Sequence, residues 1–126
     1  MSYREITIVK TAFNKVKERF NVPVILKDIT ETTDSSIVIS WTELENGPGS
    51  PSIAGLENSF GFPPYWFDSA KWEQVMEPER KKIHKYLNYG VEKLVSPNLK
   101  YNEDTMATLR IAAKLYWLFK HRGLIE

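Results

Sequence analysis

The chain has 126 residues, 42% of them hydrophobic and 26% charged, a balance that fits a soluble globular domain and excludes a disordered tail or a bundle of membrane helices. It contains no cysteine, which excludes disulfides and thiolate metal ligands and fits a reducing compartment. Formal net charge is +1, yet residues 1–20 carry +3, residues 21–72 carry −5 and residues 73–126 carry +3, so an acidic middle either compensates its basic ends within one molecule or steers one copy toward another.

Ile6, Val9, Phe13, Val16 and Phe20, with Ala12 beside them, recur at three- and four-residue steps. They predict one amphipathic helix of about 18 residues. Asn21 is a natural terminator and Pro23 blocks continuation. Val22–Lys27 then reads as a strand, and Ile37–Thr42 as a second, with Ile37, Ile39 and Trp41 on one face. The polar run from Thr30 to Ser36 joins them into an antiparallel hairpin with a long loop. Two strands alone are marginal, so they must lean on the first helix or pair with further strand from the next region or another copy.

Residues 45–72 read as a long irregular loop. Asn46 to Ser52 is turn chemistry throughout. Six of the sixteen aromatic residues then fall between Phe60 and Trp72, around the Gly61, Pro63 and Pro64 that discourage helix or strand interiors. So apolar and irregular a segment must pack on something. Two readings stand side by side. In one, Phe60, Phe62, Tyr65, Trp66, Phe67 and Trp72 form an exposed partner-binding surface. In the other, the same rings are a lid over the chain's own core.

Two helices are expected to close the chain. The first opens near Glu77–Pro78, buries Ile83, Leu87, Val91 and Leu94, and stops at Ser96–Pro97. The second opens at Asn102 or Asp104, runs to about His121 and stops at Gly123. Its apolar arc is wide: Leu109, Ala112, Ala113, Tyr116 and Phe119, with Ile111, Leu115 and Leu118 alongside. Such a helix belongs at the centre of its domain.

Arg110, Lys114, Trp117 and His121 share one face of that last helix, with Lys120 adjacent. Cations bracketing an indole can hold phosphates while the ring stacks on a base, so this face is a candidate nucleic-acid interface; it equally describes a solvated face with a snorkelling tryptophan. Lys81, Lys82 and Lys85 form a second basic cluster that could join it, although Glu73, Glu77 and Glu79 lie just upstream. Enzymatic patterns are weaker. His84 and His121 offer no metal-ligand spacing, Gly47-Pro48-Gly49 lacks the donors of a phosphate cradle, and no nucleophile elbow occurs. The carboxylates of Asp28, Glu31, Asp34, Glu43 and Glu45 fall in a hairpin loop and at a strand exit, where acids are ordinarily solvated.

These elements predict a single α+β domain over residues 1–126: an N-terminal helix, a β-hairpin, a long aromatic-rich loop and two C-terminal helices. No signal peptide or bilayer-length apolar run is seen, which points to the cytoplasm, or to a host cytoplasm or virion for a viral protein. The expected role is a non-enzymatic protein-interaction or assembly module, without cofactor or metal, that binds a protein partner or itself as a homo-oligomer. A nucleic-acid-binding protein is the alternative. The helix, the Val22-Pro23 step and the hairpin over residues 3–42 resemble small phage-encoded neck or tail-completion proteins, which would imply a viral structural or accessory role.

Overall fold

The computed structural model describes residues 3–44, 56–79 and 102–125. Helix α1 spans Tyr3–Phe20 and buries Ile8, Val9, Ala12, Phe13 and Val16; Ile6 and Phe20 pack at the margins of the core. Asn21 ends it with φ of 50°, a left-handed conformation asparagine tolerates better than most residues. The Val22 amide then reaches back to the Lys17 carbonyl at 3.1 Å, satisfying an orphan acceptor of the last turn.

Strands β1 (Val24–Glu31) and β2 (Ile37–Glu43) form the expected antiparallel hairpin, with β1 running further than its hydrophobic pattern suggests. A register shift between Leu26 and Asp28 explains the broken pattern, because Lys27 is bulged out of the ladder. The connection is tight. The Thr32 amide donates to the Ser36 carbonyl at 2.9 Å, and Ser35 takes φ of 64°.

The region read as loop is more regular than expected. Leu56–Phe62 is strand β3, antiparallel to β2, in a sheet of order β1-β2-β3. Its Glu57-Asn58-Ser59 and Gly61 have poor strand propensity, so pairing with β2 supplies the order that local sequence does not. A 3₁₀ turn follows at Pro64–Phe67, then helix α2 at Ser69–Met76 and a second 3₁₀ turn at Glu77–Glu79. Pro64 suits the start of a turn, where its missing N–H is no loss. Asp68 caps α2 by accepting from the Lys71 amide at 3.1 Å. Beyond Glu79, the helix expected to open near Glu77–Pro78 and stop at Ser96–Pro97 lies outside the described residues, as does the stretch 45–55.

Helix α3 (Glu103–His121) starts at Asn102, whose side chain accepts from the Thr105 amide. It ends at Gly123, φ 75°, where the Gly123 amide bonds Lys120 and the Leu124 amide bonds Phe119. That paired closure is a Schellman motif, and it folds Ile125 back into the core. As its wide apolar arc implies, α3 is central: Ile111, Leu115 and Phe119 are fully buried. Phe119 meets Phe13 of α1 and Trp41 of β2 edge-on, at ring separations of 5.9 and 5.4 Å. The chain is thus an α+β fold with α1 and α3 on one face of a three-stranded antiparallel sheet. No helix among the described residues is long and apolar enough to cross a membrane.

Candidate functional site

The aromatic segment folds inward. Phe62 is fully buried, and Trp66, Phe67 and Trp72 are buried with it; Phe60 and Tyr65 are half-buried against the same core. Phe60, Phe62, Trp66 and Trp72 form a relay of ring contacts with separations of 4.9, 5.3 and 6.2 Å. The strand alternation that carries Ile37 and Ile39 inward carries Phe62 and Phe60 beside them. Of the six rings read as a candidate partner-binding surface, four lie in the chain's own core, where exposing them would forfeit several kcal/mol of burial, and Phe60 and Tyr65 keep part of their surface open.

Two arginines hold this lid. Arg110 is only 4% exposed. Its Nε and Nη2 both donate to the Trp66 carbonyl, at 3.2 and 3.1 Å, and its Nη1 donates to Ser69 Oγ at 2.8 Å. The guanidinium also lies over the Trp72 ring, 5.4 Å from its centre. From α1, Arg4 donates to the next carbonyl, Phe67, at 3.2 Å and pairs with Asp104 and Glu5. Glu103 accepts from both the amide and hydroxyl of Ser69, at 3.0 and 2.9 Å. A 3₁₀ turn leaves orphan carbonyls at its end, and the two cations supply donors to them. Burial pushes the Arg110 pKa down, against the pull of Glu103. For Glu103 burial pushes upward, but the Ser69 hydrogen bonds and the Arg110 charge outweigh it and hold the carboxyl below its usual range.

The basic face of α3 is divided rather than assembled. Arg110 points into the lid network and cannot reach a phosphate. Lys114 is half-buried, its Nζ 4.3 Å from the Trp117 ring centre and 5.3 Å from that of Phe60. His121 packs on Trp117 at a ring separation of 4.3 Å, and Lys120 reaches the Tyr116 hydroxyl at 3.4 Å. Among the described residues of the predicted nucleic-acid set, only Lys120 and His121 are exposed. Lys81, Lys82 and Lys85 lie outside the described residues.

The acidic residues also separate. Glu43 is buried and forms an ion pair with Arg122, whose Nη2 donates to it at 3.0 Å, while Trp41 Nε1 donates to the same carboxylate. The Asp28 carboxylate accepts from the amide of Ile29. Asp34 accepts from the Thr32 hydroxyl and the Ser36 amide inside the hairpin turn, and those bonds hold it below its usual range. Among the described residues no group of three His, Asp or Glu is placed to hold a metal ion. Glu45 lies outside the described residues.

One surface was not singled out by sequence. Alternation turns three rows outward from the sheet: Thr30–Val38–Gly61, Asp28–Ser40–Ser59 and Ile25–Thr42. Along β2 this face is small and uncharged, with Val38, Ser40 and Thr42 half-buried. At one end Ile25 is 51% exposed and Leu44 42% exposed. Ile25 pairs with Thr42, which puts Leu44, two residues on, at the diagonal position of the same face. The Leu44 amide is fixed by the Pro23 carbonyl at 2.8 Å, so the apolar pair stands on rigid backbone. Its signal in the sequence is faint: an isoleucine and a leucine at the out-facing positions of otherwise polar rows.

Set against protein-family models, curated proteins and solved structures, the chain matches none of them.

Proposed function

We propose that this chain is a non-enzymatic assembly module that associates with a second copy through the outer face of its sheet. The reading rests on one observation: Ile25 and Leu44 stand exposed at diagonal positions of a face to which the central strand contributes only Val38, Ser40 and Thr42. A two-fold contact brings a patch against itself, so it favours small, self-complementary surfaces, and the centre of this face, Val38, Ser40 and Thr42 with Ser59 and Gly61, is one, with the charge of Asp28 on the outer strand beside it. The aromatic lid supports this by packing the opposite side of the sheet, which keeps the outer face pre-organised. No catalytic step is needed, because the acids and cations with defined partners are engaged in holding the fold.

Light scattering over a concentration series tests it. The chain is expected to dimerise, and Ile25→Asp is expected to shift it to monomer with an unchanged circular dichroism spectrum. A chain that stays monomeric at high concentration, or a dimer indifferent to Ile25→Asp and Leu44→Asp, overturns the reading.

A further inference from the structure

A second surface lies on the far side of the molecule from the sheet's outer face. Arg4 meets Asp104, and Phe20 meets Tyr116, so α1 and α3 run in the same direction with their N-termini together. Between their N-terminal halves is an open groove of about 600 Å³. Its α1 wall is the row Tyr3, Thr7, Thr11 and Lys15, and its α3 wall includes Thr105, Thr108 and Leu109.

The groove is more apolar than its threonines suggest. The Thr7 hydroxyl donates to the Tyr3 carbonyl at 2.8 Å, that of Thr108 to the Asp104 carbonyl at 2.7 Å, and that of Thr105 to the Asn102 side chain at 3.0 Å. Three hydroxyls are thus committed locally, and the lining is mostly carbon, with Ile8 and Leu109 contributing to it. The α1 row is a saddle: two small residues between a tyrosine and a lysine. At a rise of 1.5 Å per residue, the row from Tyr3 to Lys15 covers about 18 Å, or three turns of helix. Small residues at four-residue spacing let the ridge of another helix approach closely.

We infer that this groove receives an amphipathic helix of a protein partner, lying antiparallel to α1 and α3, with a carboxylate in its first turn against Lys15. Charge carries the orientation. At the far end Arg4 is already neutralised by Asp104 and Glu5. Lys15 is exposed and, among the described residues, makes no ion pair, so it is the one open charge of the groove. An antiparallel helix sets its own N-terminus at Lys15, where an Asp or Glu also complements its dipole, and sets its C-terminus beside the N-terminal turns of α1 and α3. The apolar stripe of such a helix covers the threonine saddle in the helix-in-groove mode. This site is independent of the dimer proposed above, and variants of one leave the other intact.

The test is a titration of the isotope-labelled full chain with a synthetic helical peptide of about 14 residues, bearing leucines at i, i+4, i+7 and i+11 and glutamates in its first turn. Amide shifts are expected at Thr7, Thr11, Lys15, Thr105 and Leu109. Lys15→Glu should weaken the peptide about three- to fivefold, and a peptide with lysines in its first turn should regain that loss on the variant. Thr11→Trp fills the saddle from an exposed position and should abolish the shifts while the amide spectrum stays folded. Shifts located elsewhere, an equal response to a scrambled peptide, indifference to the Lys15 charge swap, or a response of these amides to decanoate but not to the peptide overturns the inference.

Discussion

The two faces of the sheet are built from the same three strands and share almost nothing else. Inward, Ile37, Ile39, Trp41, Phe60 and Phe62 are packed by α1 and α3. Outward, Val38, Ser40, Thr42, Ser59 and Gly61 occupy the alternate positions, with Ile25 and Leu44 at one end. The difference teaches where to look for contact with other molecules. Rings that dominate the sequence are consumed by a small core that needs them, because a three-stranded sheet packed by α1 and α3 has little other apolar volume to draw on. The face of the sheet left uncovered by that packing is the modest one.

The contrast is broken most forcefully from the inside. Phe62→Ala removes a fully buried ring that contacts both Phe60 and Trp66, and is expected to destabilise the fold by about 4 kcal/mol. Ser59→Ala, three residues earlier on the outer face, should cost less than about 0.5 kcal/mol. Urea unfolding of the pair measures the asymmetry directly. Equal losses would mean that the two faces are not the inside and outside described here.

Next comes the clamp on the lid. Arg110→Ala leaves the Trp66 carbonyl and Ser69 without their buried donor and is expected to cost about 3 kcal/mol in the same assay. Arg110→Lys should recover only a minor part of that, because two nitrogens of one guanidinium meet a single carbonyl while a third reaches Ser69. Full rescue by lysine would mean that Arg110 acts as a buried positive charge and that its three-nitrogen geometry is dispensable.

That residue also marks the boundary of what sequence can disclose. The helix α1, the hairpin, the Asn102 cap and the Gly123 stop follow from periodicity and end chemistry, and each depends only on neighbours within a turn or two. β3 does not, since Glu57-Asn58-Ser59 becomes strand through β2, more than a dozen residues away in sequence. α2 was missed for a related reason: Pro63, Pro64 and Gly61 suggest disorder of pattern up to Trp72, whereas Asp68 restarts a helix immediately after them. Arg110 reads as part of a basic stripe by spacing alone. Its position between Leu109 and Ile111 in the apolar arc was the contrary signal, since a cation there must find carbonyls or carboxylates inside the fold. The outer sheet face has only the faint signal of Ile25 and Leu44 among polar residues. It emerges only when register decides which alternate residues point away from the helices.

Acid sharpens the clamp further. In the folded chain Glu103 is held below its ordinary pKa, so the folded state binds its proton less readily than the unfolded state. The stability this carboxylate contributes is present above the ordinary value of about 4.3 and is lost as pH falls through the lowered one. Glu103→Gln should therefore weaken the chain slightly near neutrality, by less than about 1 kcal/mol for so exposed a group, and the difference should close on acidification. Parallel pH profiles of the two proteins would sever Glu103 from the network around Ser69.

The smallest expected effect bears on the outer face itself. Gly61 lies in the outward row beside Val38, and a methyl group added there would sit 3.6 Å from Val38 Cγ2, an ordinary packing distance. Its backbone is not in the left-handed region, so alanine fits without strain. Gly61→Ala should then stabilise the monomer by about 0.5 kcal/mol, chiefly by restricting the unfolded chain. If the dimer buries this row flush against its twin, the same methyl group is met twice across the two-fold axis, and association should weaken while the urea midpoint of the dilute monomer rises. Opposite movement of the two quantities is the signature of a face that is free in one state and covered in the other. If the dimer constant stays fixed while the monomer gains stability, the contact is confined to the Ile25–Leu44 end of the sheet.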